Sequence, residues 1–188
     1  EAEITGATTQ VGGLVGEFDT YETSTVESKY NQLSGEITSP NTYVGGLVGY
    51  YYCGGYYLAS NSCELSYNTN STDITATSNA GGMIGYLDNQ AHFSMQHNTN
   101  NGEINGDYSI GGMVGYNVTQ PYGNDYGYSL KILYNESNGS IVLGSTEGAG
   151  IVGRIEYQSS SDNADGLLQI DGNTRRSHWL AVPSRRYR

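Results

Sequence analysis

The hexapeptide VGGLVG at residues 11–16 indicates a repeat architecture, because the chain contains four further variants of it. The later copies are VGGLVG at 44–49, AGGMIG at 80–85, IGGMVG at 110–115 and GAGIVG at 148–153. The five copies begin 33, 36, 30 and 38 residues apart. Repetition at a period of about 20–50 residues is typical of solenoids, in which each repeat forms one coil of a stack.

A second motif lies between successive copies of the first. An aromatic residue or histidine is followed by asparagine, and an isoleucine stands six residues after that asparagine. Its copies are Tyr30-Asn31 with Ile37, Tyr67-Asn68 with Ile74, His97-Asn98 with Ile104 and Tyr134-Asn135 with Ile141. The residues before each asparagine alternate in polarity, so that Cys63, Leu65 and Tyr67 share one face. Such alternation indicates a strand with one face buried and one face in solvent.

Together the two motifs predict an all-β fold, a parallel β-solenoid or β-helix of about five coils with three short strands per coil over residues 1–173. Right-handed winding is the expectation for this fold. Equivalent residues of successive coils are expected to stack about 4.8 Å apart and to form columns along the axis. The predicted inward columns are Leu14, Leu47, Met83, Met113 and Ile151, and Ile4, Ile37, Ile74, Ile104 and Ile141.

The asparagine column (Asn31, Asn68, Asn98 and Asn135) is interpreted as a ladder of amide hydrogen bonds along a turn, with a ligand-binding surface as the alternative. His97 stands where the other coils carry tyrosine, so we interpret it as a structural replacement and not as a metal ligand. The paired glycines are expected at corners that have no room for a Cβ atom.

The composition excludes several classes of partner. The chain has 188 residues, 19 Asp and Glu against 8 Lys and Arg, and a net charge of −11, which argues against nucleic acid and anionic membranes. Glycine (27) and tyrosine (18) are abundant, a mixture that favours turns and strands over helices. We find no apolar run that would span a bilayer and no signal peptide, so a secreted protein would already have lost its leader.

Five spaced copies of a Gly-Leu-hydrophobic-Gly core make the chain resemble a known family. The core reads Gly13-Leu14-Val15-Gly16 and Gly46-Leu47-Val48-Gly49, with Met or Ile replacing Leu in later copies. It resembles the GLUG-motif repeats of bacterial surface and secreted proteins over roughly residues 1–173. The resemblance implies an extracellular β-helical segment of an adhesin-like, cell-surface protein. It implies no catalytic residue.

Tyrosine-rich segments are the predicted ligand-binding residues. The third coil is short between two longer neighbours, which predicts a shallow notch flanked by aromatic loops. The candidates are Tyr51, Tyr52, Tyr56, Tyr57, Tyr122, Tyr126 and Tyr128. Tyrosine rings are suitable platforms for glycans or a host surface protein. The alternative is that these rings pack on their own loops and on the outward column Tyr50, Tyr86 and Tyr116.

Three kinds of covalent or metal site are also candidates. Cys53 and Cys63 permit one disulfide, which would fit an oxidising compartment. Asn70, Asn117 and Asn138 begin N-x-S/T sequons of a glycoprotein, whereas the ladder argues against glycosylation of Asn135. The weak calcium candidates are Asp162, Asp165 and Asp171, which lack regular ligand spacing and a terminal Glu. No other metal and no cofactor is expected.

The two ends of the chain suggest self-assembly. Residues 174–188 form a basic extension with one further predicted strand at 179–182, which serves as a cap or as an assembly contact. An acidic start and a basic end predict head-to-tail stacking of copies into a filament. The alternatives are a piece of a longer solenoid and a soluble cap. The assembly candidates are Glu1, Glu3, Ile4, Arg175, Arg176, Trp179, Leu180, Arg185, Arg186 and Arg188.

The expected function is therefore structural or adhesive and not enzymatic. Some β-helices are polysaccharide lyases or hydrolases, and such an activity is the less favoured alternative. It needs clustered carboxylates or a basic residue in a cleft, whereas Lys29, Lys131 and Arg154 are scattered among coils. We expect no two carboxylates to align on adjacent strands as an acid and base pair.

Overall fold

The protein is built from β-strands joined by tight corners. The computed structural model describes residues 2–5, 9–20, 25–54, 61–120, 128–144, 148–158, 166–175 and 179–181. Over these ranges the regular structure consists of strands alone. The same ranges hold no helix long and apolar enough for a membrane crossing.

The strands are short and follow each other in a regular order. In chain order they are β1 (Ala2–Thr5), β2 (Val11–Gly12), β3 (Val15–Thr20), β4 (Thr25–Lys29), β5 (Gln32–Gly45), β6 (Val48–Cys53), β7 (Ser62–Ser66), β8 (Thr69–Gly81), β9 (Ile84–Asn89), β10 (His92–Gln96), β11 (Thr99–Asn100), β12 (Ile104–Gly106), β13 (Tyr108–Gly111), β14 (Val114–Thr119), β15 (Tyr128–Leu133), β16 (Glu136–Ser137), β17 (Ile141–Leu143), β18 (Gly148–Ala149), β19 (Val152–Tyr157), β20 (Gly166–Asp171), β21 (Thr174–Arg175) and β22 (Trp179–Ala181).

These strands form three parallel sheets that wind into a β-solenoid, as predicted. Sheet B has the order β3-β6-β9-β14-β19 and sheet C has the order β4-β7-β10-β15-β20, whereas sheet A contains the remaining twelve strands. Each of sheets B and C is five strands deep, so the chain makes about 4 complete turns between equivalent strands. The register pairs equivalent residues, for example Val48 with Ile84 and Ile84 with Val114.

The core is a narrow column of stacked apolar side chains. Leu47, Met83 and Met113 are fully buried between sheets B and C, and the isoleucine column is buried behind sheet A. Both columns confirm the predicted inward residues. Leu14 differs, with 50% of its surface exposed, because the described part of the chain places no coil beyond it.

In the three central coils, two of the three corners are made by residues in the left-handed conformation. Tyr30, Tyr67, His97 and Tyr134 have φ of 61°, 57°, 54° and 56°, and Tyr43, Asn79 and Ser109 have φ of 65°, 50° and 54°. This conformation is uncommon for residues other than glycine, so the coil must hold them there. It turns the chain before the asparagine and interrupts the strand alternation, so the expectation that Tyr67 shares the buried face of Cys63 and Leu65 is wrong.

The glycine pairs fit the corner between sheets A and B. A Cβ atom on Gly45 would overlap the carbonyl oxygen of Val48 within the same corner. A Cβ atom on Gly46 would lie 2.5 Å from the amide of Asn70. The second glycine therefore makes room for an inward column that the sequence reading did not identify: Leu33, Asn70, Asn100, Ser137 and Arg175.

The third corner, between sheets B and C, is where the coils differ in length. Two residues connect β9 to β10, whereas eight connect β6 to β7. The latter connection is closed by a disulfide between Cys53 and Cys63, whose Cα atoms are 6.2 Å apart and which are both fully buried. The disulfide therefore joins sheet B to sheet C at the base of the loop.

Replacing both cysteines with alanine should lower the free energy of unfolding by about 2–3 kcal/mol, because a closed loop of this length restricts the unfolded chain. Urea denaturation measures the difference. The wild-type protein under reducing conditions is the matched control and should lose a similar amount. Equal stability of the oxidised and reduced proteins would contradict the prediction.

Candidate functional site

The asparagine ladder runs along the corner between sheets C and A. The Oδ1 atom of each asparagine accepts hydrogen bonds from the backbone N–H and the side-chain Nδ2 of the asparagine one coil earlier. Asn68 donates both to Asn98 at 2.9 Å, and Asn98 donates to Asn135 at 3.0 and 2.9 Å. The same two bonds join Asn31 to Asn68 and Asn135 to Asn173. The predicted ladder is confirmed.

All bonds of the ladder point the same way along the axis. In the described chain every asparagine of the ladder except the last donates to the next coil. In every coil after the first, the asparagine Nδ2 also donates to a carbonyl of the preceding coil, as Asn98 does to Leu65 at 2.8 Å. Within the described part of the chain, Oδ1 of Asn31 receives no donor and the backbone N–H of Asn173 has no acceptor. One end of the stack therefore presents an acceptor, and the other end presents a donor.

Both end coils of the described stack leave large apolar side chains exposed. At the first coil, Leu14 is exposed, and a cavity of about 270 Å³ opens beside Ile4, Leu33 and Ile37. At the last coil, large side chains remain exposed on β19 and β20: Ile155, Tyr157, Leu167, Leu168 and Ile170. Exposed apolar surface of this kind makes both end coils candidate contact sites.

Charged side chains border both end faces. On the first coil, Nζ of Lys29 lies 3.3 Å from Glu27 and 3.0 Å from Glu64, and these carboxylates raise the pKa of its ammonium group. On the last coil, Arg154 lies 3.1 Å from Glu156 and 4.9 Å above the Tyr116 ring. Both faces thus carry charges of both signs.

The structure places several of the predicted assembly residues on these end coils. Glu3 and Ile4 lie on β1, which pairs with β5, and Arg175 lies on β21. Trp179 and Leu180 lie on β22, opposite Ile141 and Val142. Outside the described residues are Glu1, Arg176, Arg185, Arg186 and Arg188.

An exposed aromatic column runs beside the asparagine ladder. Its rings stack with centroid separations of 5.4 Å from Tyr30 to Tyr67, 5.1 Å from Tyr67 to His97 and 5.4 Å from His97 to Tyr134. The rings are within 10–14° of parallel, so they cover one another's faces and turn their edges to solvent. A Cβ atom on Gly172 would overlap the Tyr134 ring, so this glycine ends the column. The sequence signal for this surface is the position of each ring directly before the asparagine, within the turn.

Three of the predicted ligand-binding tyrosines lie in the described part of the chain, and none of the three is fully exposed. Tyr51 is 2% exposed and packs between Phe18 and Phe93, with ring centroids 5.0 and 5.4 Å away. Tyr128 is also buried. A binding role is therefore wrong for both, because the alternation of β6 and β15 turns them inward. Tyr52 is half-buried, and its hydroxyl donates to Gln90 at 3.1 Å. Tyr56, Tyr57, Tyr122 and Tyr126 lie outside the described residues.

A second tyrosine surface covers the outer face of sheet B. It consists of the predicted outward column Tyr50, Tyr86 and Tyr116, and Tyr43 packs against the first two at 5.9 and 4.6 Å. The hydroxyl of Tyr50 donates to Asp88 at 3.5 Å, and the hydroxyl of Tyr116 donates to Glu156. We call these four rings with Asp88 and Glu156 the tyrosine face.

The tyrosine face is partly shielded from water. Burial, reinforced by the carboxylate of Asp88, raises the pKa of the Tyr50 and Tyr86 phenols well above 10. Burial and the hydrogen bond to Glu156 raise the pKa of Tyr116 to about 12. Burial likewise raises the pKa of the Asp88 carboxyl, although bonds from Gln90 and Tyr50 oppose that shift. The surface thus combines apolar rings with acceptor oxygens.

Two of the glycosylation candidates are wrong. Asn70 and Asn117 are fully buried, and their Nδ2 atoms donate to Asn100 at 2.9 Å and to the Leu87 carbonyl at 3.2 Å. A glycan has no space at either position in the folded coil. Asn138 is half-buried and donates to Asn101 at 3.0 Å.

Four carboxylates form a row on the outer surface of sheet A. The register of sheet A aligns them on its exposed outer face: Glu3, Glu36, Asp73 and Glu103. This row on an exposed outer face does not test the expectation that no two carboxylates form an acid and base pair, which stays a prediction. Among the described residues no group of three or more His, Cys, Asp or Glu could hold a metal ion. Asp171 accepts a hydrogen bond from the Gly172 N–H at 2.7 Å, and Asp162 and Asp165 lie outside the described ranges.

Comparison of the chain with protein-family models, curated proteins and solved structures found no match. The resemblance to GLUG-motif repeats therefore stays a prediction from the sequence motifs.

Asn98→Asp should destabilise the fold by about 3–5 kcal/mol, because a carboxylate cannot donate to Asn135 and Leu65 and would be buried without a cation. Urea denaturation at neutral pH measures this loss. The matched control is Asn101→Asp, the same change at an exposed position, for which we expect at most about 0.5 kcal/mol. Equal effects of the two substitutions would show that the ladder does not stabilise the stack.

Proposed function

We propose that this chain is a structural and adhesive solenoid of the bacterial surface, and that its copies stack head to tail. The observation that carries the proposal is the single direction of the asparagine ladder. Asn173 of one copy would donate to Oδ1 of Asn31 in the next copy. Head-to-head stacking would instead bring two acceptors together. Contact between unlike ends is the kind that builds open filaments.

The apolar residues of the two end faces match in this arrangement. If β3 of the next copy follows β19 in the register of sheet B, Phe18 lies opposite Ile155. If β4 follows β20 in sheet C, Val26 lies opposite Leu168. Stacking would therefore cover the side chains that each end leaves exposed.

The charges also match. The same registers bring Glu17 opposite Arg154 and Lys29 opposite Asp171. One like-charged pair results, Asp19 with Glu156, and Arg154 already lies 3.1 Å from that glutamate. Opposite charges on adjacent strands stabilise a sheet and disfavour the reversed arrangement.

An extracellular location is supported by the disulfide. Cys53 and Cys63 are bonded and fully buried, and such bonds persist in oxidising compartments. The resemblance to the GLUG-motif repeats supports the same location.

The charge pair provides the test of stacking. Glu17→Arg and Arg154→Glu should each weaken association by about tenfold or more, and the double variant should restore it, because the pair is then reversed. Sedimentation velocity over a range of concentrations measures association, and negative-stain electron microscopy shows its direction. Glu103→Arg, the same charge change at an exposed position on the side of a central coil, is the matched control. Single particles at all concentrations, or no rescue in the double variant, would contradict the proposal.

A second candidate function is the binding of a glycan or a host surface protein. The observation that favours it is the tyrosine face, where half-exposed rings lie beside the acceptor oxygens of Asp88 and Glu156. Rings with adjacent polar groups are common in recognition surfaces.

Tyr86→Ala should remove glycan binding, because Tyr86 contacts three other rings of the tyrosine face. A glycan array probed with the labelled protein measures the effect, and unfolding in urea establishes that the variant is folded. Tyr67→Ala, which opens the exposed aromatic column instead, is the matched control. Equal signals from the wild type and the Tyr86 variant would contradict a binding role for this face.

A further inference from the structure

The described chain has one more coil position in sheet A than in sheets B and C. Sheets B and C contain five equivalent strands each, whereas the isoleucine column of sheet A has six members: Ile4, Ile37, Ile74, Ile104, Ile141 and Trp179. The first member lies on β1 and the sixth lies on β22. When β3 and β4 of one copy follow β19 and β20 of another, β1 and β22 therefore require the same place. Two strands cannot occupy it together.

We propose that copies join by strand replacement, in which β22 of one copy takes the place of β1 on β5 of the next copy. This inference rests on the proposed head-to-tail stacking and names the contact through which it occurs. Trp179 would lie opposite Ile37, and Leu180 would lie opposite Thr38, the positions that Ile4 and Thr5 hold in the single copy.

The pairing of the two strands favours the exchange. In the described chain, β1 is four residues long and pairs with β5 alone. Among the described residues, β22 pairs with β17 along one edge and with no strand along the other. After replacement, β22 pairs on both edges, and sheet A continues from β17 through β22 to β5 of the next copy. Sheets B and C and the asparagine ladder continue in the same step.

The alternative arrangement keeps β1 in place and adds it beyond β22. Sheets B and C would then lack one strand at the junction, since β19 and β20 are the fifth strands and β3 and β4 would become the seventh. The apolar end faces would not meet, and Asn173 would not reach Asn31. The two arrangements differ in the role of β1, which competes with assembly in the first and forms the contact in the second.

The equivalent substitutions Ile4→Asp and Trp179→Asp in the full chain separate these arrangements. Strand replacement predicts that Ile4→Asp strengthens association by at least about tenfold, because a vacated place on β5 increases the binding-competent fraction. Trp179→Asp should abolish association. Sedimentation velocity measures both effects, and urea denaturation establishes that each variant is folded. Weakened association of the Ile4 variant would overturn the proposal.

A pair of cysteine variants tests the register directly. Leu180→Cys with Thr38→Cys should give covalent multimers with a short thiol-to-thiol linker, because the two positions become neighbours only across the junction. The matched control, Thr5→Cys with Thr38→Cys, joins partners of the single copy, so it should crosslink within one chain and block assembly.

The outcomes distinguish the two proposals. Polymers that form without Leu180–Thr38 crosslinks would overturn strand replacement and leave head-to-tail stacking standing. If the wild type and the Ile4 variant both stay monomeric at every concentration, both proposals fail. Covalent multimers together with stronger association of the Ile4 variant would support both.

Discussion

The hydrogen bonds of the asparagine ladder join the backbone of each coil to a side chain of the next. Asn68, Asn98 and Asn135 are fully buried, so each of their amides must meet its partner, because an unpaired amide in the core would cost about 1–3 kcal/mol. A shift of one residue in the register would break all of them and would turn every inward side chain outward. The left-handed corner before each asparagine, the stacked rings on that corner and the strand pairing on both sides all depend on this register.

A narrow solenoid held in this way needs few large apolar residues. One or two inward side chains per strand fill the space between the sheets, and polar columns complete it where hydrogen bonds along the axis satisfy them. Asn70 and Asn100 lie fully buried in such a column, over glycines whose Cβ atoms would collide with them. The chain can therefore combine a hydrophobic fraction of 36% with a continuous core.

The period of the motifs was sufficient to predict the solenoid, its inward columns and the asparagine ladder, because equivalent residues must touch when coils stack. Side-chain direction at the corners was not predictable in the same way. Tyr67 follows the alternation of its strand, yet a positive φ turns its side chain outward. Tyrosine rarely adopts a positive φ, so the residue type did not predict this conformation. The burial of Tyr51 and Asn70 was not predicted for a related reason. Tyrosine-rich segments and sequons are typical of exposed loops, and the sequence alone did not show that these two residues lie within strands. The row of carboxylates on sheet A could be identified only from the register of its strands, which the spacing of the motifs did not give.

The unequal connections between sheets B and C have a practical consequence. Two residues join the sheets in one coil and eight join them in others, while the strands on either side keep the same pairing. Chain length at this corner is thus uncoupled from the geometry of the rod. Foreign peptides inserted at this corner in successive coils would be displayed along a single edge of the solenoid. Their spacing would be the distance between neighbouring strands, about 4.8 Å.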